Sequence, residues 1–267
     1  MFGRRPDGEL VRDLPAVRRF MPFLSPRRNE SLVYFAQEVD VEPALGFLER
    51  VNRDRRADRR VTLFHLLLRA IARTLEERPR LNRFVAGGRL WQRDGVYLTF
   101  SAKRSFDEDA PILTVKRRFE PGESLEEMVE GILVPLRARR AGRRDTADAE
   151  VDMLLRLPPP LVRLAMGLVE LVDAFGLLPR RMIEPDPMYT SAFVANLGSV
   201  GLDAGYHHLW EHGTCPLFCV MGRIREGTDG RRRMTLKWTY DERVEDGFYC
   251  ARATERLREL LEKPEHL

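Results

Sequence analysis

Residues 240–247 read Tyr-Asp-Glu-Arg-Val-Glu-Asp-Gly, and this string decides how the rest of the chain is interpreted. The residues before it, 234–241, alternate between apolar and polar side chains, which predicts a strand. Residues 248–261 are predicted to form a closing helix, and Gly247 permits a tight turn into it. The string therefore joins the last strand to the last helix.

Two further strings precede it. Residues 194–201 read Val-Ala-Asn-Leu-Gly-Ser-Val-Gly. Residues 62–78 place their apolar side chains on one wide helical face, which predicts a helix. That helix should stop at the proline of Glu-Arg-Pro-Arg-Leu-Asn (residues 77–82), and a Gly-Gly pair follows at 87–88. Each string alone is weak evidence, but three in this order are specific.

Together the strings resemble the catalytic domain of the dihydrolipoyl acyltransferases of 2-oxoacid dehydrogenase complexes, over roughly residues 15–260. In that family the last string runs Phe/Tyr-Asp-His-Arg-Val-x-Asp-Gly, and chloramphenicol acetyltransferase has a related His-x-x-x-Asp-Gly. No lipoyl-bearing or subunit-binding domain precedes residue 15, so the likeness is greatest to short, stand-alone relatives.

The resemblance implies an α/β two-layer sandwich of the chloramphenicol acetyltransferase type, with a mixed sheet and helices. It also implies homotrimers that can build a higher assembly, with substrate channels at the subunit boundary. We expect an N-terminal arm at 1–30, a single catalytic-type domain at 31–262 and one extra apolar helix at about 161–178. Further strands are expected at 31–40, 96–103, 112–119, 191–196 and 217–224, and a further helix at 123–140.

Two substitutions fall on the residues that carry the family's chemistry. Glu242 stands at the place of the histidine base, and Ala195 stands at the place of the serine that donates a hydrogen bond to the oxyanion. A glutamate is a weaker base than a histidine by about two pKa units, roughly 3 kcal/mol. Losing an oxyanion donor adds roughly 2.7 to 4 kcal/mol to the barrier. The family reaction should therefore be severely impaired.

Several roles remain open at the site. Deep burial would make Glu242 a competent base, but pairing with an arginine is the simpler expectation. His207 or His208 is a candidate replacement base on a nearby loop. The family match gives Asp246 a structural role, as the carboxylate of a buried ion pair with an arginine. Asn196, Gly198 and Ser199 are the candidate ligand-binding residues of the second string.

A metal site is not predicted. Histidines at 207, 208 and 212 and cysteines at 215 and 219 suggest zinc by their density. If the two cysteines share a strand, however, they lie roughly 13 Å apart and cannot bind one ion.

Bulk composition excludes several classes of function. The chain of 267 residues is 43% apolar and 32% charged, which is typical of a folded globular protein. Its 45 basic and 41 acidic residues are interleaved, which argues against a nucleic-acid surface. Three cysteines in no disulfide pattern and a first segment without an apolar signal core indicate the cytoplasm.

The apolar stretch 161–178 contains Arg163, Glu170 and Asp173 along one narrow stripe. Such a helix should bury most of its circumference, in the core or at a subunit interface. A lid over a hydrophobic ligand channel and a membrane-surface helix are alternatives, but three charges make a membrane span costly.

These observations favour a catalytically impaired acyltransferase-fold protein that serves as a coenzyme A or acyl-thioester binding module or as an assembly module, with no covalently bound cofactor. The alternatives are an active acyltransferase using Glu242 or a loop histidine, and a carrier of hydrophobic ligands.

Overall fold

The computed structural model describes residues 4–103, 112–140 and 153–267. The acidic stretch 105–110, which the sequence predicts to be a loop between the strands at 96–103 and 112–119, lies outside these ranges. The strands are β1 (Arg4–Arg5), β2 (Gly8–Leu10), β3 (Leu32–Asp40), β4 (Arg83–Ala86), β5 (Arg89–Arg93), β6 (Val96–Lys103), β7 (Ile112–Phe119), β8 (Ala192–Asn196), β9 (Leu217–Glu226) and β10 (Arg232–Asp241). The helices are α1 (Ala16–Leu24), α2 (Glu42–Asn52), α3 (Leu63–Glu77), α4 (Leu125–Arg140), α5 (Pro159–Ala174), α6 (Arg180–Ile183) and α7 (Gly247–Glu262). Short 3₁₀ turns occur at Arg28–Glu30, Ala57–Arg59, Pro79–Asn82, Gly198–Val200 and Pro264–His266.

The larger sheet has six strands in the order β3-β10-β9-β8-β6-β7. Strand β8 runs parallel to both β9 and β6, and the other neighbouring pairs are antiparallel. The predicted α/β architecture with a mixed sheet is confirmed.

One face of this sheet carries the main core. In β10 the buried side chains Met234, Leu236, Trp238 and Tyr240 alternate with more polar ones, so every second residue faces the helices. Buried residues of α2, α3, α4 and α7 belong to the same apolar cluster. The opposite face carries a smaller cluster that includes Phe193 and Phe218 from the strands and Leu209 from the segment before β9.

A second sheet has the order β1-β2-β5-β4. Gly87 and Gly88 form its β4–β5 turn with φ angles of 57° and 69°, a left-handed conformation that favours glycine. A Cβ atom on Gly87 would also collide with the carbonyl oxygen of Ala174. The turn therefore packs directly on the end of α5.

The residues expected to form an N-terminal arm contribute β1, β2 and α1. Arg5 is buried, and its guanidinium donates to the Asp173 carbonyl oxygen (2.8 Å) and to Asp173 Oδ1 (2.7 Å). It also donates to Asp7 Oδ1 at 2.8 Å. These bonds tie the start of the chain to α5, and the domain boundary at residue 30 stays a prediction.

The expectation that α5 buries most of its circumference is wrong for a single chain. Asp173 does not lie on a solvent-facing stripe, because it is buried against Arg5. The side of α5 that carries Asp173 consequently faces the protein, and the leucines on the other side are exposed: Leu161, Leu164, Leu168 and Leu171. Within the described ranges, no helix is both long and apolar enough to cross a membrane.

Candidate active site

An open cavity of about 800 Å³ lies where β8 ends. Its lining includes Ala195, Asn196, Gly198 and Ser199, together with the first turn of α3 and part of β9. The fold thus brings the alanine at the serine place and the three candidate ligand-binding residues to one cavity.

Asn196 holds the turn that follows β8. Its Oδ1 accepts a hydrogen bond from the Ser199 backbone N–H (3.0 Å), and the Ser199 hydroxyl donates to the Asn196 carbonyl oxygen (2.8 Å). Gly198 packs so closely on β9 that a Cβ atom there would lie 2.5 Å from the Gly222 carbonyl oxygen. The turn is therefore rigid on the cavity side, and the Ser199 hydroxyl proton is used within it.

The cavity also contains an imidazole that sequence analysis missed. His65 lies in the first turn of α3, where its backbone N–H donates to Thr62 Oγ1 (3.3 Å) and its Nδ1 accepts from the Thr62 backbone N–H (3.1 Å). Because a backbone N–H can only donate, Nδ1 is unprotonated and the neutral ring carries its proton on Nε2. Burial lowers the pKa of His65 to about 4. His65 is therefore a neutral hydrogen-bond donor and not a proton acceptor at Nε2.

The hydroxyl-bearing residues Thr62 and Ser101 line the same cavity. The sequence did contain a signal for the position of His65. Thr62 stands three residues before it at the start of an apolar helix, which matches a capping box with histidine in place of Glu or Gln. Nothing in the local pattern around Ser101 marks it as a cavity residue, because the strand β6 only reaches the cavity through its pairing with β8.

Glu242 lies at the other end of the sheet, immediately after β10, and is exposed. Its backbone N–H donates to the Ser31 carbonyl oxygen (2.9 Å), and its carbonyl oxygen accepts from Arg18 (3.1 Å). The Glu242 carboxylate makes no hydrogen bond or ion pair with another described residue, so the expected pairing with an arginine is not found. The burial that would turn it into a stronger base is also absent in one chain.

The strand register separates Glu242 from Ala195. Ala195 is level with Val220 of β9, which is level with Lys237 of β10. Glu242 follows Lys237 by five residues, or about 17 Å of strand, and two strand spacings add about 10 Å across the sheet. Ala195 and Glu242 are therefore roughly 20 Å apart within one chain.

The residues on either side of Glu242 form buried ion pairs. Asp241 accepts two hydrogen bonds from the Arg243 guanidinium (2.8 and 2.7 Å), and Arg28 lies 3.8 Å away. Glu245 is within 3.7 Å of three guanidinium groups, those of Arg18, Arg80 and Arg83.

Asp246 caps α7 instead of joining a buried pair. Its Oδ1 accepts from the Tyr249 backbone N–H at 2.8 Å, and this bond lowers the pKa of its carboxyl group. Arg18 lies 3.5 Å from Asp246 Oδ2, but the aspartate side chain is 53% exposed. The buried ion pair that the family resemblance assigns to this position is formed here by Asp241 and Arg243.

The loop histidines lie on the opposite face of the sheet from the main core. His207 Nδ1 is 2.7 Å from the His208 carbonyl oxygen, and its ring stacks on Phe218 with centroids 4.2 Å apart. Since a carbonyl only accepts, Nδ1 carries the proton and the neutral ring has its lone pair on Nε2. Neither His207 nor His208 lines the cavity.

The potential zinc ligands have other partners. His212 Nε2 is 2.8 Å from Asp186 Oδ2, a contact that raises the pKa of the imidazole. The buried Cys215 donates to the Leu217 carbonyl oxygen at 3.2 Å. Among the residues that the structure describes, no group of three or more His, Cys, Asp or Glu side chains is placed to hold a metal ion.

No family model and no curated protein sequence matches the chain. Solved structures do match it over nearly its whole length. A probable dihydrolipoamide acetyltransferase from Listeria monocytogenes superposes with a TM-score of 0.62 at 15% identity, over 96% of this chain and 95% of the other. The cubic core of the pyruvate dehydrogenase multienzyme complex gives 0.59 at 18% identity, over 94% and 91%.

This chain has the fold of a dihydrolipoamide acetyltransferase core. A chloramphenicol acetyltransferase also superposes, with a TM-score of 0.61 at 13% identity over 95% of this chain and 99% of the other. The resemblance carried by the three sequence strings is thereby confirmed at the level of the fold.

Proposed function

We propose that this protein binds coenzyme A or an acyl thioester in the Ala195 cavity and that its acyl-transfer activity is lost or strongly reduced. The observation that carries the proposal is the set of side chains around the cavity. An alanine occupies the oxyanion-donor position, and the single histidine in the lining, His65, has its proton on the nitrogen that a base would need free.

The size and lining of the cavity support a small-molecule ligand. Its volume of about 800 Å³ falls in the range of roughly 300–1,000 Å³ usual for such sites. Apolar side chains such as Phe100 and Ile132 line it beside the polar groups of Asn196, Ser101 and Thr62. This mixture suits a pantetheine arm, which alternates methylene and amide groups.

The same residues allow binding without turnover. The Nε2–H of His65 can donate to a thioester carbonyl, which favours binding of the ground state. Transfer of the acyl group also requires an acceptor for the thiol proton, and none of the described residues in the cavity wall offers one, since the His65 Nε2 carries a proton. Glu242 lies too far away in the same chain to take that role.

We extend the proposal to self-assembly as a homotrimer, since a complete site requires Glu242 from a second copy to approach Ala195. A matching structure is the cubic core of a multienzyme complex, so the fold is compatible with symmetric assembly. The exposed leucines of α5 repeat at intervals of three and four residues, the spacing that packs one helix against another: Leu161, Leu164, Leu168 and Leu171. Sedimentation velocity should give a trimer, and a monomer at micromolar concentration would contradict this part.

Ligand binding is tested by titrating the protein with coenzyme A and with acetyl-CoA in a calorimeter. Ala195→Trp should fill the cavity and abolish binding, whereas Ala251→Trp, on the exposed face of α7, should leave it unchanged. Failure of the wild-type protein to bind either ligand would refute the proposal.

Turnover is tested by following acetyl transfer from acetyl-CoA to dihydrolipoamide. We expect no rate above the uncatalysed reaction for the wild-type protein. The double variant Ala195→Ser/Glu242→His should gain activity, because it supplies a donor and a base. Wild-type turnover that disappears in Glu242→Gln would establish an active enzyme instead.

A second candidate function is an active acyltransferase with His207 as its base. It rests on the His207 tautomer, whose Nδ1–H is fixed by the His208 carbonyl oxygen so that Nε2 is free to accept a proton. This function requires the loop to move toward the cavity. Turnover lost in His207→Gln but retained in Glu242→Gln would support it over the first proposal.

The carrier function finds less support, because no residue of α5 lines the Ala195 cavity. We place the protein in the cytoplasm, where its three buried, free thiols would stay reduced.

A further inference from the structure

A second cavity, of about 170 Å³, lies between β5, β6, β7 and α6. It shares no lining residue with the Ala195 cavity. Basic and phenolic side chains dominate its wall: Arg93, Lys116, Arg118, Arg180, Tyr97 and Tyr189. Its volume is below the roughly 300 Å³ of typical cofactor sites, so only a small ligand fits.

Arg93 is a buried cation with an unused donor. Its Nη2 donates to the Thr214 carbonyl oxygen (2.9 Å) and to Thr214 Oγ1 (2.8 Å), and Nη1 lies 3.8 Å from Asp7 Oδ2. The Arg93 Nε atom is inaccessible to solvent and has no hydrogen-bond partner. A buried N–H without a partner is unfavourable, so the hydrogen-bonding capacity of the Arg93 guanidinium group is not satisfied by the protein alone.

Lys116 is a second cation without a carboxylate partner. Its Nζ donates to the carbonyl oxygens of Ile183 (2.8 Å) and Asp186 (3.0 Å), which leaves one of its three N–H donors free. No carboxylate of a described residue lies within 4.0 Å of it. Burial, and after it the charge of Arg93, lowers the pKa of Lys116 to about 8.

Three acidic residues, Asp7, Asp94 and Glu184, also line the cavity, but they offset its four basic residues only in part. Asp7 is bound by Arg5 at 2.8 Å, and Glu184 lies 3.6 Å from Arg180. Asp186 is engaged by His212 at 2.8 Å, and Asp94 is exposed at the rim. The interior of the cavity therefore carries an excess of positive charge.

We propose that this cavity binds a small oxyanion, held between the Arg93 guanidinium group and Lys116 Nζ, with Tyr189 beside them in the lining. Tyr189 is buried, and its hydroxyl makes no hydrogen bond with another described residue. An oxyanion supplies several acceptors to donors on different walls, and its charge offsets that of the two buried cations. Inorganic phosphate and a small carboxylate share this chemistry.

The experiment titrates the wild-type protein with inorganic phosphate, acetate and chloride at constant ionic strength, following heat and the melting temperature. Lys116→Met removes a cation from the cavity, and Lys263→Met is the matched control because Lys263 is exposed and lies outside the cavity lining. We expect phosphate or acetate to bind and to raise the melting temperature, with affinity at least about tenfold weaker in Lys116→Met and unchanged in Lys263→Met.

Binding of phosphate alone or of acetate alone assigns the class of oxyanion and supports the site. If neither oxyanion binds, if chloride has an equal effect, or if Lys116→Met binds as tightly as the wild-type protein, the proposal is refuted.

Tyr189→Phe provides a second variant that keeps the ring. It should weaken oxyanion binding severalfold, even if Lys116→Met fails to fold. Coenzyme A binding in the other cavity should be unaffected by Tyr189→Phe, so the two proposals fail separately.

Discussion

The two ends of the six-stranded sheet differ in what holds them together. At the Ala195 end, a neutral turn fixed by Asn196 and Ser199 borders an open cavity. At the Glu242 end, carboxylates and guanidinium groups form a dense network with little space between them. The first end therefore leaves an open cavity, whereas the charged groups of the second end hold chain segments together.

The network explains how the string at 240–247 keeps its form with glutamate in the histidine place. Asp241, Arg243 and Glu245 are buried and paired, whereas Glu242 is exposed and makes only backbone hydrogen bonds to the rest of the protein. Position 242 can therefore change without disturbing its neighbours. Within this short string, the residues that stabilise the fold are therefore different from the residue at position 242.

The largest expected effect tests this separation directly. Asp241→Ala leaves the buried Arg243 and Arg28 guanidinium groups without their shared carboxylate and should lower the free energy of unfolding by roughly 3–5 kcal/mol. The adjacent change Glu242→Ala should stay within about 0.5 kcal/mol. Urea denaturation measures both, and equal losses would remove the distinction between the two residues.

The next effect concerns acid stability at the cavity end. His65 has a pKa of about 4 when folded and about 6.5 when unfolded, so the unfolded chain binds more protons between these pH values. The contribution of His65 to the free energy of unfolding is therefore largest above pH 6.5. It is lost as the pH falls toward 4, by roughly 3 kcal/mol in total.

His65→Gln keeps a side chain that can complete the capping box with Thr62 but does not titrate. The difference in unfolding free energy between wild-type protein and variant should therefore shift in favour of the variant as the pH is lowered from 7 to 4.5. Carboxylates titrate in both proteins and cancel. A difference independent of pH would show that His65 is not a buried neutral imidazole.

A smaller effect is expected from the turn that borders the cavity. Gly198→Ala places a Cβ atom 2.5 Å from the Gly222 carbonyl oxygen, and such overpacking costs about 1–3 kcal/mol. Gly167→Ala, in the middle of α5 with no atom near the new methyl group, should instead stabilise the protein by roughly 0.5–1 kcal/mol. Thermal denaturation shows whether each variant is more or less stable than the wild-type protein. If Gly198→Ala were more stable, the turn would not be tightly packed on β9.

The smallest effect is that of adding a hydroxyl group at the cavity. Ala195→Ser adds one polar atom to a half-buried side chain that faces open space, so the free energy of unfolding should change by about 0.5 kcal/mol or less. Chemical denaturation checks this. A loss above 2 kcal/mol would indicate that the position supports the fold as well as the site.

Most of the elements followed from local patterns. The helix expected at 62–78 is Leu63–Glu77, and the strands expected at 96–103 and 112–119 have those bounds. The closing helix expected at 248–261 is Gly247–Glu262. Periodicity and proline or glycine boundaries are properties of adjacent residues, which is why they predict such segments well.

The candidate site was predictable only in part. The three strings identified Ala195 and Glu242, but His65 was missed because its role depends on a capping bond and on the burial of the first turn of α3. The burial of Asp173 was missed for a similar reason. A charged residue on a helix is expected to face solvent unless its partner from a distant part of the chain is known. For Asp173 that partner is Arg5.

By itself, the sequence determined the fold and singled out Ala195 and Glu242, because strand and helix periods and short motifs are written in consecutive residues. The tertiary structure alone decided which charges pair, on which nitrogen two histidines carry their protons, and that Ala195 and Glu242 lie at opposite ends of one sheet. Those properties depend on strand register and on contacts between residues far apart in the chain, which no local pattern specifies.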